Sequence, residues 1–173
     1  MKSPFANLFL AIRQNLIDKV PSVAHIDLNL GQLSGSIGMR GNTKPSVNFP
    51  CVLIDFEDFS FSCLSENVQT AKGTIVLQLA FAPYSNSSQA TPKENVAMAI
   101  KFYDIEFQMH KAFQDWSPGD IYGSCNRIST TTQKRQDGYR VREIRYSIAF
   151  DDYSTKAITN MAGVSLVLTE EVV

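Results

Sequence analysis

The dipeptide Asp137-Gly138, set between two strand-like runs, narrows more than any other feature what this chain can become. Both central positions of a two-residue hairpin turn need φ > 0, which Gly accepts freely and Asp tolerates. The pattern predicts a β-hairpin from about Gly123 to Phe150. In the return strand Ile144, Tyr146, Ile148 and Phe150 alternate on one face, and Val141, Glu143, Arg145 and Ser147 lie on the other. An apolar sheet face must be covered. Thr91-Pro92-Lys93-Glu94 supplies a capping box for a covering helix, with Thr91 as N-cap and Glu94 at the third position. That helix is predicted to run to about Trp116, where Ser117-Pro118-Gly119 ends it. Val96, Ile100, Tyr103 and Phe107, flanked by Ala99, Ala112 and Phe113, form its expected apolar face.

The remaining elements follow from periodicity. Ser3-Pro4 opens a first helix in which Phe5, Leu8, Phe9, Ile12, Leu16 and Ile17 recur at helical spacing until Pro21. Ile26, Leu28 and Leu30 alternate as a short strand. Pro50 leads into Cys51-Val52-Leu53-Ile54-Asp55-Phe56, nearly continuous in apolar character, which implies burial on both faces. From Thr74 to Phe81 the alternation is clean: Ile75, Leu77, Leu79 and Phe81 share one face and Thr74, Val76, Gln78 and Ala80 the other. The expected fold is therefore α+β: a mainly antiparallel sheet with two helices, the long central one packed on one face. At 173 residues the chain is expected to form a single domain, 1–173. It carries a Gly-rich loop at 31–48, of a length that in compact domains tends to be functional or mobile. A terminal arm at 157–173 includes Val164, Leu166 and Leu168, a strand-like pattern suited to an exposed sheet edge, its own or a neighbour's.

Little in the sequence suggests chemistry. The net charge of −1 gives no general pull toward nucleic acid or anionic membranes. No apolar run approaches the ~20 residues that span a bilayer, and the first residues lack a signal-peptide pattern, so cytoplasmic synthesis is expected. Cys51, Cys63 and Cys125 fit neither a disulfide framework nor a zinc site, and Cys51 and Cys125 read as small core residues. His25 and His110 have no companions at metal-ligand spacing. Gly38-Met39-Arg40-Gly41 lacks the phosphate-loop pattern. No catalytic residue, metal or cofactor is expected. The acids Asp55, Glu57 and Asp58 would suit paired-carboxylate catalysis, a solvated strand end, or a patch facing basic groups. Lys134, Arg135, Arg140 and Arg142 gather at the hairpin tip. Their alternatives are a solvated turn, a protein-docking surface, or a phosphate contact, for which only Tyr139 offers a stacking ring. As a docking surface, the tip should matter for assembly and little for folding, with the three acids as partners in a neighbouring subunit.

The order of elements resembles that of tail terminator and tail completion proteins of long-tailed bacteriophages and prophages. The likeness rests on the N-terminal helix, the proline-led strand Phe49-Pro50-Cys51-Val52-Leu53-Ile54, the strand from Thr74 to Phe81, the capped helix from Thr91 to Trp116, and the terminal hairpin with its Tyr139–Phe150 return strand. It covers roughly residues 1–153, and the stretches 31–48 and 157–173 are longer than the pattern needs. The resemblance implies a small subunit that forms a homo-oligomeric ring, typically a hexamer, on the end of the tail tube. Such a ring stops tube growth and meets the head–tail connector protein. It implies bacterial cytoplasm during assembly, the virion tail afterwards, and no catalysis or cofactor; from the charge and apolar pattern, neither a membrane nor a nucleic-acid partner is expected. The competing readings are a small-ligand-binding or enzymatic α+β domain, and another phage neck or connector component or a nucleic-acid-binding accessory protein.

Overall fold

The computed structural model describes residues 3–33, 47–81, 93–135 and 139–155. Two helices and five strands follow in the order α1 (Pro4–Lys19), β1 (His25–Leu28), β2 (Cys51–Ser65), β3 (Val68–Phe81), α2 (Lys93–Phe113), β4 (Asn126–Gln133) and β5 (Arg140–Asp152). The strands form one sheet in the order β1-β2-β3-β5-β4. It is a mixed sheet. β1 runs parallel to β2, with Ile26 beside Val52, and the pairs β2–β3, β3–β5 and β4–β5 are antiparallel. The parallel pair departs from the hairpin logic of the sequence, because a parallel neighbour needs a crossover rather than a tight turn.

Both helices lie against the same face. Leu8, Ile12 and Leu16 of α1 and Phe102, Ile105, Met109 and Phe113 of α2 pack on Val52, Ile54, Ile75, Leu77, Leu79, Ile144, Tyr146 and Ile148. The buried Asn15 amide donates to the Ala112 carbonyl at 2.8 Å, which fixes one helix against the other. The expected alternation in β3 and β5 is what this face is built from: Ile75, Leu77 and Leu79 are fully buried, as are Ile144 and Tyr146. The α2 surface differs from expectation. Ile100, Tyr103 and Phe107, expected against the sheet, are half exposed or more; the contact is made by Phe102, Ile105 and Met109 together with the expected Ala112 and Phe113. The helix carries two apolar stripes, and periodicity alone does not say which one faces inward. The capping residues Thr91 and Pro92, and the side chain of Ala99, lie outside the described residues.

The opposite face has its own small apolar patch. Leu33, Cys51, Leu53, Ala80 and Val141 are buried together, with Val47 and Phe49 against them. Cys51, Ala80 and Val141 stand in register across β2, β3 and β5. This double cover accounts for the continuous apolar run 51–54, every residue of which is fully buried. Leu33 and Val47 bracket the residues 34–46, so the Gly-rich segment leaves and returns at one patch; its own course lies outside the described residues.

β2 continues well past the acids that seemed to end it. A bulge sets Asp58 and Phe59 opposite Gly73, with Asp58 at φ 57°. Beyond it β2 and β3 run on as a hairpin to the turn at Glu66-Asn67, where Asn67 takes φ 61°. The alternation Phe59, Phe61, Cys63 was present in the sequence, but the acids at 55, 57 and 58 masked it. The Phe59 ring lies directly over Gly73: a Cβ there would come within 2.4 Å of the ring. Phe5, Phe56, Phe59 and Phe150 gather at the start of α1, with Phe5 4.9 Å from Phe59 and 5.5 Å from Phe150. Tyr122 closes the group, its ring 5.5 Å from Phe150 and its hydroxyl donating to the Pro4 carbonyl at 2.7 Å.

Candidate interaction surface

β4 and β5 are the hairpin foreseen around Asp137-Gly138; the turn residues 136–138 themselves lie outside the described residues. The structure does not keep the four tip cations together. Arg142 stands on the helix face in register with Leu79 and Thr132. Its guanidinium forms a two-pronged pair with Glu106 of α2, Nε to Oε2 at 2.9 Å and Nη2 to Oε1 at 2.8 Å, and Nη1 donates to the Thr132 hydroxyl at 2.7 Å. Both partners are largely covered, and the hydrogen bond to Glu106 holds the Arg142 pKa above its ordinary value. The Arg140 guanidinium lies over the Phe102 ring, its central carbon 3.7 Å from the ring centre, and reaches the Tyr103 hydroxyl at 3.4 Å. Arg135 donates to the Leu33 carbonyl, joining the hairpin to the segment after β1. Lys134 is exposed. The expectation that the tip is separable from folding therefore needs correction: Arg140 and Arg142 clamp α2 to the sheet.

The three acids separate in the same way. Asp55 holds the turn after β1, its Oδ2 accepting from the Asn29 amide at 3.2 Å and its Oδ1 from the Phe56 N–H. Glu57 pairs with Arg145 at 2.9 Å, and Arg145 also binds Glu143 at 2.7 Å. This row crosses the back of the sheet, and its hydrogen bonds to Glu143 and Glu57 raise the Arg145 pKa. Asp58 sits in the bulge. The acids do not converge on a common point with a nucleophile or base. Arg145, Glu143 and Glu106 are the partners the sequence reading missed. Cross-strand register would have found the first two, since 143 and 145 share a face; Glu106 depended on knowing which side of α2 is inward.

Titratable groups elsewhere sit in the fold rather than in a cleft. Burial pushes the Cys51 thiol up to about 11 and that of Cys125 up to about 12, whereas Cys63 is exposed on the β2–β3 hairpin. Tyr146 is fully buried and its hydroxyl has no hydrogen-bond partner among the described residues; burial raises its pKa. His110 on α2 has its pKa lowered, first by burial and then by the charge of Arg127. His25 lies 3.8 Å from Asp27, and no group of three metal-ligating side chains occurs among the described residues. A shallow recess of about 310 Å³ at the end of the β2–β3 hairpin is lined by Cys63, Ser65, Gln69 and Asp152 among others, and holds no paired acid and base. No described helix is long and apolar enough to cross a membrane.

The surface that stands out is made by an edge and a helix. β4 is a terminal strand of the sheet, and Asn126, Arg127, Ile128 and Ser129 are exposed along it. On the same side of the sheet's fold α2 leaves Ile100, Tyr103 and Phe107 exposed, Phe107 by 56%, and Ile128 of β4 is 57% exposed. Exposed large apolar side chains mark contact surfaces when they form a continuous patch.

No protein-family model matches the sequence, and no curated protein does. The fold has a counterpart among solved structures. A chain from the virion of a native gene transfer agent (GTA) particle superposes with a TM-score of 0.51 at 9% identity, over 88% of this chain and 100% of that one.

Proposed function

We propose that this chain is a structural subunit of a phage-like virion, working by docking and not by catalysis. The observation that carries the reading is the fold shared with the whole of a gene transfer agent virion chain. The open β4 edge flanked by the exposed α2 stripe supports it, because an assembling subunit needs a surface of that kind. At a finer level the reading is a tail terminator or completion protein. It would form a ring of identical copies, typically six, that stops growth of the tail tube and meets the head–tail connector. The element order from α1 to β5 supports this level.

The test has two parts. The purified chain, 19.3 kDa as a monomer, is weighed by light scattering and imaged by negative-stain electron microscopy. Closed rings are the expected result; a monomer at micromolar concentration and above counts against the assembly reading. The tail-tube protein of the same genome is then polymerised with and without the chain. Shorter tubes capped at one end support termination, and unchanged tube lengths leave a virion role elsewhere in the particle.

A further inference from the structure

We infer that the β4 edge is the receptor for residues 164–168 of a second copy of this chain, added as a further strand. The inference rests on the assembling-subunit reading and names the contact through which assembly would proceed.

The receptor is defined by two features that lie side by side. The outer side of β4 has no partner strand among the described residues, so beyond the irregularity at Arg127–Ser129, where the Arg127 N–H is held by Gln114, its edge is open to pairing. Along α2, the line of residues above β4 is fixed by contacts. Glu106 reaches Thr132 through Arg142, and Gln114 donates to Asn126 at 2.9 Å and accepts from the Arg127 N–H at 3.3 Å. Tyr103 and Phe107 lie one step farther round the helix, beyond that line, and Ile100 continues their stripe. A strand added at the edge would pair its backbone with β4 and turn alternate side chains toward this side of α2, the usual economy of strand addition.

The sequence of the chain contains a segment of that character. Val164, Leu166 and Leu168 alternate with Ser165 and Val167. Glu170 and Glu171 follow, and cations stand at both ends of the receptor, exposed Arg127 at one and exposed Lys134 just past the other. A strand running in either direction along β4 would bring its acids near one of them.

Geometry favours a second copy over the chain's own tail. The Thr155 hydroxyl donates to the Asn67 carbonyl at the β2–β3 turn, two residues beyond the Gln69–Asp152 pair, whereas β4 begins opposite Ser147. At strand spacing that is about 23 Å along the sheet and, over three strand widths, about 14 Å across it, or about 27 Å in a straight line. Val164 lies nine Cα steps beyond Thr155, at most about 32 Å when fully drawn out. The chain's own segment would reach only the start of β4, with its linker nearly straight and reversing direction over the sheet; a neighbour's has no such limit.

Two full-length variants separate the outcomes: Leu166→Asp, which spoils the donor, and Phe107→Glu, which spoils the receptor at an exposed site. Unchanged melting of each confirms folding. Each alone should be monomeric at a concentration where the native chain assembles, and amide exchange across 126–133 should be at least about tenfold slower in the native assembly than in either variant. Mixed, they should form a one-to-one dimer, since one retains the receptor and the other the donor. Assembly of both variants like the native chain overturns the inference and leaves the assembling-subunit reading standing. Two monomers that ignore each other overturn it in favour of the chain's own tail. A monomeric native chain removes both readings.

Discussion

Gly73 is the residue whose identity is least negotiable. Phe59 occupies the space a side chain would need, and the crowded atoms are those nearest the ring's attachment, which cannot swing away. Gly73→Ala should destabilise the chain by about 1–3 kcal/mol, as overpacking of a settled core does, read as a drop in the denaturant midpoint with unchanged slope. Glu106 makes a different demand. With it removed, the Arg142 guanidinium stays largely covered with its main partner gone. Glu106→Ala should cost about 3 kcal/mol or more, while an isosteric apolar pair at 106 and 142 should recover most of that loss. The three cysteines give a direct check of burial. Thiolate is the reactive form, and burial raises the pKa of Cys51 and Cys125 while Cys63 is exposed. A thiol reagent at pH 8 should modify Cys63 rapidly and the other two only after denaturant is added.

α2 shows where reading a sequence by element succeeds and where it stops. Its end was read three residues late, at Trp116 against Phe113, but its existence was legible, because Thr91-Pro92-Lys93-Glu94 and Ser117-Pro118-Gly119 bracket a long periodic run. Its orientation was not, because Val96-Ile100-Tyr103-Phe107 and Phe102-Ile105-Met109-Phe113 are both apolar stripes. The deciding contact, Glu106 with Arg142, is made across 36 positions of sequence. The two stripes predict different costs. Met109→Ala should lose about 2–5 kcal/mol of stability, and Phe107→Ala should change the monomer's stability by no more than about 0.5 kcal/mol. Equal losses at the two positions would mean that the helix is rotated from the orientation described here. The same limit explains the tip. Lys134, Arg135, Arg140 and Arg142 are neighbours in sequence, yet strand alternation and register send Arg142 to the helix, Arg140 to an aromatic face and Arg135 to the Leu33 carbonyl. Three members of a cluster of like charges read from sequence thus make separate contacts within the fold, and Lys134 stays exposed. β2 failed in the opposite sense: its acids seemed to end it, and its outer half, only partly covered, gave no core pattern to follow.

At the scale of the molecule, one helix-covered face supplies most of the packing, and the far face is secured by a small apolar patch and the Glu57–Arg145–Glu143 row. Because Leu33 and Val47 end in that one patch, residues 34–46 hang from the fold by two points that are already held. Closing a longer chain between fixed points costs little, about 0.6 kcal/mol for each doubling of length. A dozen Gly and Ser residues inserted near position 40 should therefore lower stability by less than about 1 kcal/mol, as a melting curve would show. An insertion tolerated to that degree would make the stretch between Leu33 and Val47 an exchangeable cartridge, open to a sequence rewritten for a new neighbour or to a displayed foreign peptide.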